Sequence, residues 1–232
     1  MQYGDLGFFR TFFRIYRKDT RLEWKSPVGI FSVFLFALIL AAIYNYAMEV
    51  RVFSNLGNLH GIMLATLFYS STLMSSRNIQ FEKEGGALRV MLISPADPAG
   101  YFLGKTAALW QLQTIFILIY LPVYYLLLQG NLPRDPFLMV PPLAFLILAA
   151  LNLSALGIML SYIASGNRLK EIILPLILLP TSLPVFMLAA DGIREAAAKN
   201  FFPWTHFLIL LAPAALFCSL GCMLYHVLTA DE

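Results

Sequence analysis

The sequence predicts an all-α integral membrane protein with six transmembrane helices, an N-terminal interfacial amphipathic helix, and a short cytoplasmic helix between spans 2 and 3. Three observations predict this class. Of 232 residues, 59% are apolar and 12% are charged, with a mean hydropathy of +0.74, more apolar surface than a water-soluble domain needs. Apolar windows of about 20 residues, enough to cross about 30 Å of hydrocarbon, recur six times. Lys and Arg gather in alternate connecting segments.

The expected spans are Val28–Met48, Leu59–Ser76, Thr106–Leu128, Phe137–Ala164, Ile172–Ala190 and Phe207–Leu228. The second carries Ser70, Ser71, Thr72, Ser75 and Ser76, which predicts that it faces other helices rather than lipid. With the N-terminus inside, the cytoplasmic segments hold Arg10, Arg14, Arg17, Lys18, Arg21, Lys25, Arg77, Lys83, Arg89, Lys105, Arg168 and Lys170. The other side keeps Arg51, Arg134, Arg194 and Lys199. Twelve against four puts both termini and the segment 77–105 in the cytoplasm.

Before the first span, the spacing predicts a helix over 8–25. At about 100° per residue its six basic side chains from Arg10 to Lys25 share roughly one third of the wheel, while Phe9, Phe12, Phe13 and Tyr16 lie apart from them. A helix with one cationic and one aromatic face lies in the membrane interface, rings among acyl chains and cations near headgroups, so Phe9, Arg10, Phe12, Phe13, Arg14, Tyr16, Arg17 and Arg21 are the expected membrane-interface residues. Ser26-Pro27 turns the chain into the first span. The first long apolar run begins at Val28 and persists for a full membrane thickness, so no cleavable signal peptide is expected. Cys218 and Cys222 share a helix face in the last span and read as small packing residues.

Within these limits the spans hold no Asp, Glu, Lys or Arg. Ion-coupled transporters place an ionisable group near the bilayer midplane, so energy for any transport must come from elsewhere. Gly100-Tyr101-Phe102-Leu103-Gly104-Lys105-Thr106 is not a phosphate loop: it has three residues between its glycines where a Walker A motif has four, and it opens an apolar span. Proline is frequent in the spans, and Pro175, Pro180 and Pro184 fall in one; each removes a backbone donor, which makes them the expected helix-bending residues.

The segment FEKEGGALRVMLISPADPAGYFLGK, Phe81 to Lys105, places Glu82 and Glu84 before Gly85-Gly86, then Leu88, Met91 and Leu92 at helical spacing, then a stop at Ser94-Pro95. It resembles the cytoplasmic coupling segment of ABC-2-type transporter permeases, in which a short helix docks on an ATPase subunit. The resemblance makes Glu82, Glu84, Gly85, Gly86, Leu88, Met91, Leu92 and Pro95 the expected ATPase-docking residues, and 1–232 a single ABC-2-like transmembrane domain with a coupling segment over 77–105.

Leu174 to Phe186, LPLILLPTSLPVF, together with FFRIYRKDTRLEWKSP near the N-terminus and the insert EKEGGALRVMLISPADPAGYFLGK, is similar to the CcmB family, the haem exporter B subunits of cytochrome c maturation. Typical members carry a hydroxyl in the insert where Ala87 stands here. The resemblance implies a non-catalytic membrane permease subunit in the bacterial inner membrane. It would work with a separate ABC ATPase (the A subunit, holding ATP and Mg), with C and D membrane subunits and with a haem chaperone, E. It implies coupling of ATP hydrolysis to haem handling and to release of the loaded chaperone, with haem as cargo and no cofactor resident in this chain. Residues offering haem contacts are His60, His206 and Trp204; His226 lies at the opposite end of the last span. Alternatives are an ABC-2 permease exporting a drug, lipid or polysaccharide, and a non-transporting membrane scaffold. Because ABC ATPases act in pairs, a second copy of this chain is an expected partner, and Ala149, Ala150, Ser154, Ala155 and Gly157 would permit close helix approach.

Overall fold

The computed structural model describes residues 7–25, 27–47, 56–84, 96–129, 139–164, 170–199 and 201–230. Within them run seven helices: α1 (Phe8–Lys25), α2 (Pro27–Ala47), α3 (Leu56–Glu84), α4 (Pro98–Tyr124), α5 (Val140–Ala164), α6 (Lys170–Lys199) and α7 (Trp204–Ala230). A single wide π turn, Tyr125–Gln129, extends α4 just beyond Pro122. Five helices are long and apolar enough to cross a membrane, over Ile30–Ala47, Pro98–Leu128, Val140–Ile163, Leu176–Lys199 and Trp204–Val227. The chain is an all-α integral membrane protein.

The expected span Leu59–Ser76 falls inside α3. That helix has 29 residues, about 43 Å of rise, so apolarity and not length separates it from the other five. Its hydroxyls are turned inward: Thr66, Ser70, Ser71 and Ser75 are fully buried, and α3 packs on α5 and α6. Three further limits differ from the sequence reading. α4 begins at Pro98, ahead of the expected Thr106, which brings Lys105 into the helix. α5 begins at Val140, while residues 137 and 138 lie outside the described residues. α6 continues past Ala190 to Lys199, closing in two exposed ion pairs, Asp191 with Arg194 at 3.7 Å and Glu195 with Lys199 at 2.7 Å.

α5 is the hub. It contacts α3, α4, α6 and α7, and Ala149, Ala150, Leu153, Ser154, Ala155 and Gly157 are buried in those contacts. The close approach these small residues permit is used within the chain, where Gly157 lies against Ser75 of α3. In hydrocarbon, packing and hydrogen bonds must hold helices together without help from the hydrophobic effect. Tyr120 Oη donates to Met63 O at 2.9 Å, Tyr124 Oη meets Thr66 Oγ1 at 2.7 Å and donates to Ala37 O at 3.2 Å, and these tie α2 and α3 to α4. Trp110 Nε1 donates to Ile147 O at 2.9 Å, Ser154 Oγ to Gln113 Oε1 at 3.1 Å, and Asn152 Nδ2 to Leu210 O at 3.4 Å, tying α5 to α4 and α7.

α2 and α7 lie outermost. α2 buries Val33, Ala37 and Ala41, four residues apart on one stripe, and exposes Phe31, Leu35, Ile39 and Ile43, as expected of a lipid-facing helix. Cys218 and Cys222 of α7 are unpaired thiols packed partly against the core. α6 runs as one helix through Pro175, Pro180 and Pro184; the side chain of Pro175 lies outside the described residues. Pro180 and Pro184 are exposed, and the hydroxyls of Thr181 and Ser182 donate to the carbonyls of Ile177 and Leu179 in the preceding turn.

Gly221 of α7 sits directly under the fully buried ring of Phe102, whereas Gly61 of α3 has no neighbour within 4 Å of a would-be Cβ. Gly221→Ala should lower stability by about 1–3 kcal/mol through overpacking, and Gly61→Ala should leave it unchanged or raise it by up to about 1 kcal/mol. Unfolding midpoints of the two variants in detergent should move apart; equal shifts would contradict the packing described.

Candidate functional site

α1 makes its main contact with the first half of α4, and the sequence of α4 explains how closely. Gly100 and Gly104 are one helical turn apart and face α1. A Cβ at Gly100 would lie 2.7 Å from Phe8 O, and one at Gly104 would lie 2.9 Å from Phe12 O and 3.1 Å from Ile15 Cβ. Small residues at this spacing let two backbones approach as side chains would not. The glycines of the Gly-Tyr-Phe-Leu-Gly-Lys-Thr run thus serve helix packing.

Its lysine has an equally local role. Lys105 is 2% exposed, and its Nζ lies 2.9 Å from Asp19 Oδ2 of α1; Lys18 meets the other oxygen of Asp19 at 3.2 Å from the exposed side. One turn from this pair, the Oε1 of Gln111 accepts from Tyr16 Oη at 2.7 Å and Thr20 Oγ1 at 3.2 Å. At the start of α4, Asp97 holds extended backbone and its carboxylate accepts from the Gly100 N–H at 2.6 Å, an N-cap followed by Pro98 at the first helical position. The Asp97 N–H donates to Thr11 Oγ1 at 3.3 Å. α1 therefore grips the C-terminal root of the segment 77–105 from its cap to its lysine.

The other root is Arg77 of α3, half-buried, whose charge acts on Glu23 of α1. Burial raises the Glu23 carboxyl above its ordinary 4.5; Arg77 opposes the rise, Asp19 adds to it, and Lys105 opposes it. Asp19 and Glu23 of α1 thus lie in the electrostatic reach of Lys105 of α4, and Glu23 in that of Arg77 of α3. The sequence carried a sign of it that composition alone hides: Thr11, Ile15, Asp19 and Glu23 recur every fourth residue, a stripe distinct from the basic face.

The aromatic stripe of α1 divides. Phe12 and Tyr16 stack at 6.2 Å and are half-buried, while Phe9 is 73% and Phe13 61% exposed, beside the exposed Arg10, Arg14, Arg17 and Arg21. Of the expected docking residues, Gly85, Gly86, Leu88, Met91, Leu92 and Pro95 lie outside the described residues. Glu82 and Glu84 fall in the last turn of α3, and their side chains lie outside them as well.

At the opposite end of the bundle, the two histidines named from sequence differ. His60 is 4% exposed, with its Nε2 2.8 Å from Tyr125 Oη in the π turn. His206, in the first turn of α7, is partly exposed, with its Nδ1 2.7 Å from Glu195 Oε2 of α6. Trp204 is exposed and leans on Phe202 at 4.6 Å. Among the described residues no three His, Cys, Asp or Glu side chains converge to hold a metal ion.

Breaking the buried pair by Asp19→Leu or Lys105→Met should destabilise the protein by about 3–5 kcal/mol, and the double variant by much less than the sum; additive losses would show that the two charges do not depend on each other. Glu23 supplies a pH test. Its native carboxyl holds a proton more tightly than the unfolded chain does, so it makes stability fall as pH rises from about 4.5 through the raised value. Glu23→Gln should flatten that slope in unfolding midpoints recorded across this range, and parallel curves for variant and parent would count against it.

Comparison with known proteins falls in line with this geometry. A relative from Paracoccus denitrificans (strain Pd 1222), named heme exporter protein B, is 26% identical over 183 residues, which cover 78% of this chain and 81% of the relative. The family model described as CcmB protein matches residues 10–223. Since that match starts within α1 and ends within α7, it takes in the α1–α4 junction together with all the apolar helices, and the chain belongs to the CcmB family.

Proposed function

We propose that this chain is the membrane permease subunit of an ABC transporter complex that handles haem in cytochrome c maturation. It is not itself an enzyme: a partner ATPase binds ATP and Mg, and the segment 77–105 takes up the force of hydrolysis and passes it to the bundle, for release of a haem-loaded chaperone. In this reading α3 is the sixth span, both termini face the cytoplasm of a bacterial inner membrane, and α1 lies in the interface with Phe9 and Phe13 among acyl chains and its arginines at anionic headgroups. The C and D membrane subunits, the chaperone E and a second copy of the chain complete the assembly.

The observation that carries this reading is the hold of α1 on the C-terminal root of the segment, through Asp19 to Lys105 and Thr11 to the Asp97 N–H. A segment pushed by a partner transmits force only if its roots are fixed to something larger. Here the root at 97–105 is fixed to a helix packed backbone-close on α4. Family membership and the name of the Paracoccus relative favour haem as the cargo. The absence of Asp, Glu, Lys and Arg from the described middle stretches of the apolar helices fits an energy source outside the membrane.

Cells lacking this chain should lose covalent haem staining of c-type cytochromes and regain it on complementation. Glu84→Lys and Leu88→Asp should insert normally yet fail to restore staining and lower co-purification of the ATPase at least about tenfold, the loss of some 1.4 kcal/mol of docking energy. Normal staining without the chain would move the assignment to an ABC-2 exporter of another cargo, and wild-type behaviour of both variants would remove the docking role of 77–105.

A further inference from the structure

An open hollow of about 200 Å³ lies between α1 and α4, with Thr20, Glu23 and Trp24 on one wall and Gln111, Leu112 and Ile115 on the other. One turn beyond Ile115, Leu118 and Ile119 are about half exposed, so the hollow stands at the head of a lipid-facing stripe of α4. Trp24, at its rim, is 60% exposed, a side chain suited to the level of lipid headgroups. Glu23 is the unexplained group. Its Oε2 is shut away from solvent with no hydrogen-bond partner among the described residues, and burial together with Asp19 outweighs the opposing charges of Arg77 and Lys105 on its carboxyl. Buried polar atoms are otherwise nearly always paired, so this carboxylate is short of a donor.

The chemistry around the hollow selects its occupant. A carboxylate without a donor calls for a cation that carries N–H bonds. Arg17 and Arg21, both exposed, precede Thr20 and Trp24 by three residues each, one helical turn away on the same side of α1, and offer charge to an anion. Gln111 commits its carbonyl oxygen to Tyr16 and Thr20, which leaves its amide nitrogen to donate. An ammonium and a phosphate a few bonds apart, on a molecule with an apolar tail, match the carboxylate, the cations and the lipid-facing stripe together. That molecule is a phospholipid with an ethanolamine headgroup. A choline headgroup has no N–H and a glycerol headgroup no cation, so either would leave Glu23 as it stands.

We propose that the hollow between α1 and α4 binds phosphatidylethanolamine, with the ammonium on the Glu23 carboxylate, the phosphate at Arg17, Arg21 and the Gln111 amide, and an acyl chain along Ile115, Leu118 and Ile119. The proposal rests on the reading above that α1 lies in the membrane interface and adds to it one particular lipid, held a helical turn from the Asp19–Lys105 pair.

The test uses the purified full-length chain in phosphatidylcholine nanodiscs, with Trp24 fluorescence taken as the difference between wild type and Trp24→Phe. Increasing fractions of phosphatidylethanolamine, phosphatidylcholine or phosphatidylglycerol brominated near the top of the acyl chain serve as quenchers. Brominated phosphatidylethanolamine should quench Trp24 saturably, at a mole fraction at least about fivefold below that needed by the choline lipid, the discrimination one charge-assisted hydrogen bond supplies. Glu23→Gln should bring the ethanolamine curve onto the choline curve and leave the latter in place; an ethanolamine preference that survives the substitution overturns the role of Glu23. If Glu23→Gln fails to fold, the wild-type chain decides, because the two lipids differ only in the methyl groups on nitrogen. Coincident ethanolamine and choline curves overturn the site alone, as does quenching by the glycerol lipid at equal or lower fractions, which would show attraction of anionic lipid to the arginines. No quenching of Trp24 in discs made wholly of brominated phosphatidylcholine overturns the interfacial placement of α1 itself.

Discussion

The constraint on which this molecule depends is the close approach of α1 to α4. Two glycines one turn apart remove the side chains that would hold the backbones apart, but a glycine groove is smooth and tolerates α1 at several positions along it. Asp19 and Lys105 remove that freedom. Both charges lose water in the contact, and only one register satisfies both. The Asp97 cap and the Gln111 contacts share that register, so the start of α4, the end of the preceding segment and the whole of α1 are set by one match.

The interior of the bundle obeys a related rule. Hydrocarbon gives helices no hydrophobic reason to associate, and α3, whose face is rich in hydroxyls, would be poorly solvated by lipid on that side. Its neighbours meet it with small residues and tyrosine hydroxyls: Gly157 against Ser75, Tyr124 against Thr66, Tyr120 against the Met63 carbonyl. Polar groups that would be a liability towards lipid become the means of assembly towards protein.

Much of this was legible in the sequence, for physical reasons that also mark where legibility stopped. Apolar runs declare five of the helices because lipid demands length and apolarity within one contiguous stretch. The hydroxyls of α3 announced that it faces protein, since no lipid-facing surface would carry them. The Gly-Lys-Thr run was readable as something other than a phosphate loop, but not as a packing seam, because its partners Phe8, Phe12 and Asp19 lie some 86 to 92 residues earlier in the chain. The small face of α5 suggested close approach without naming the partner, and within the chain Gly157 meets α3 and Ser154 meets α4. His60 and His206 were equal in sequence; a tyrosine 65 residues away and a glutamate on the adjoining helix separate them.

The position of α5 bears on biogenesis. It is both among the most apolar helices and the most enclosed, contacted by α3 and α4, which precede it, and by α6 and α7, which follow. During synthesis it enters the bilayer with half of its surroundings still in the ribosome. Until the last two helices arrive, the faces of α5 that they cover have only lipid as a neighbour. The enclosure of α5 is therefore completed only once the C-terminal third of the chain has been made.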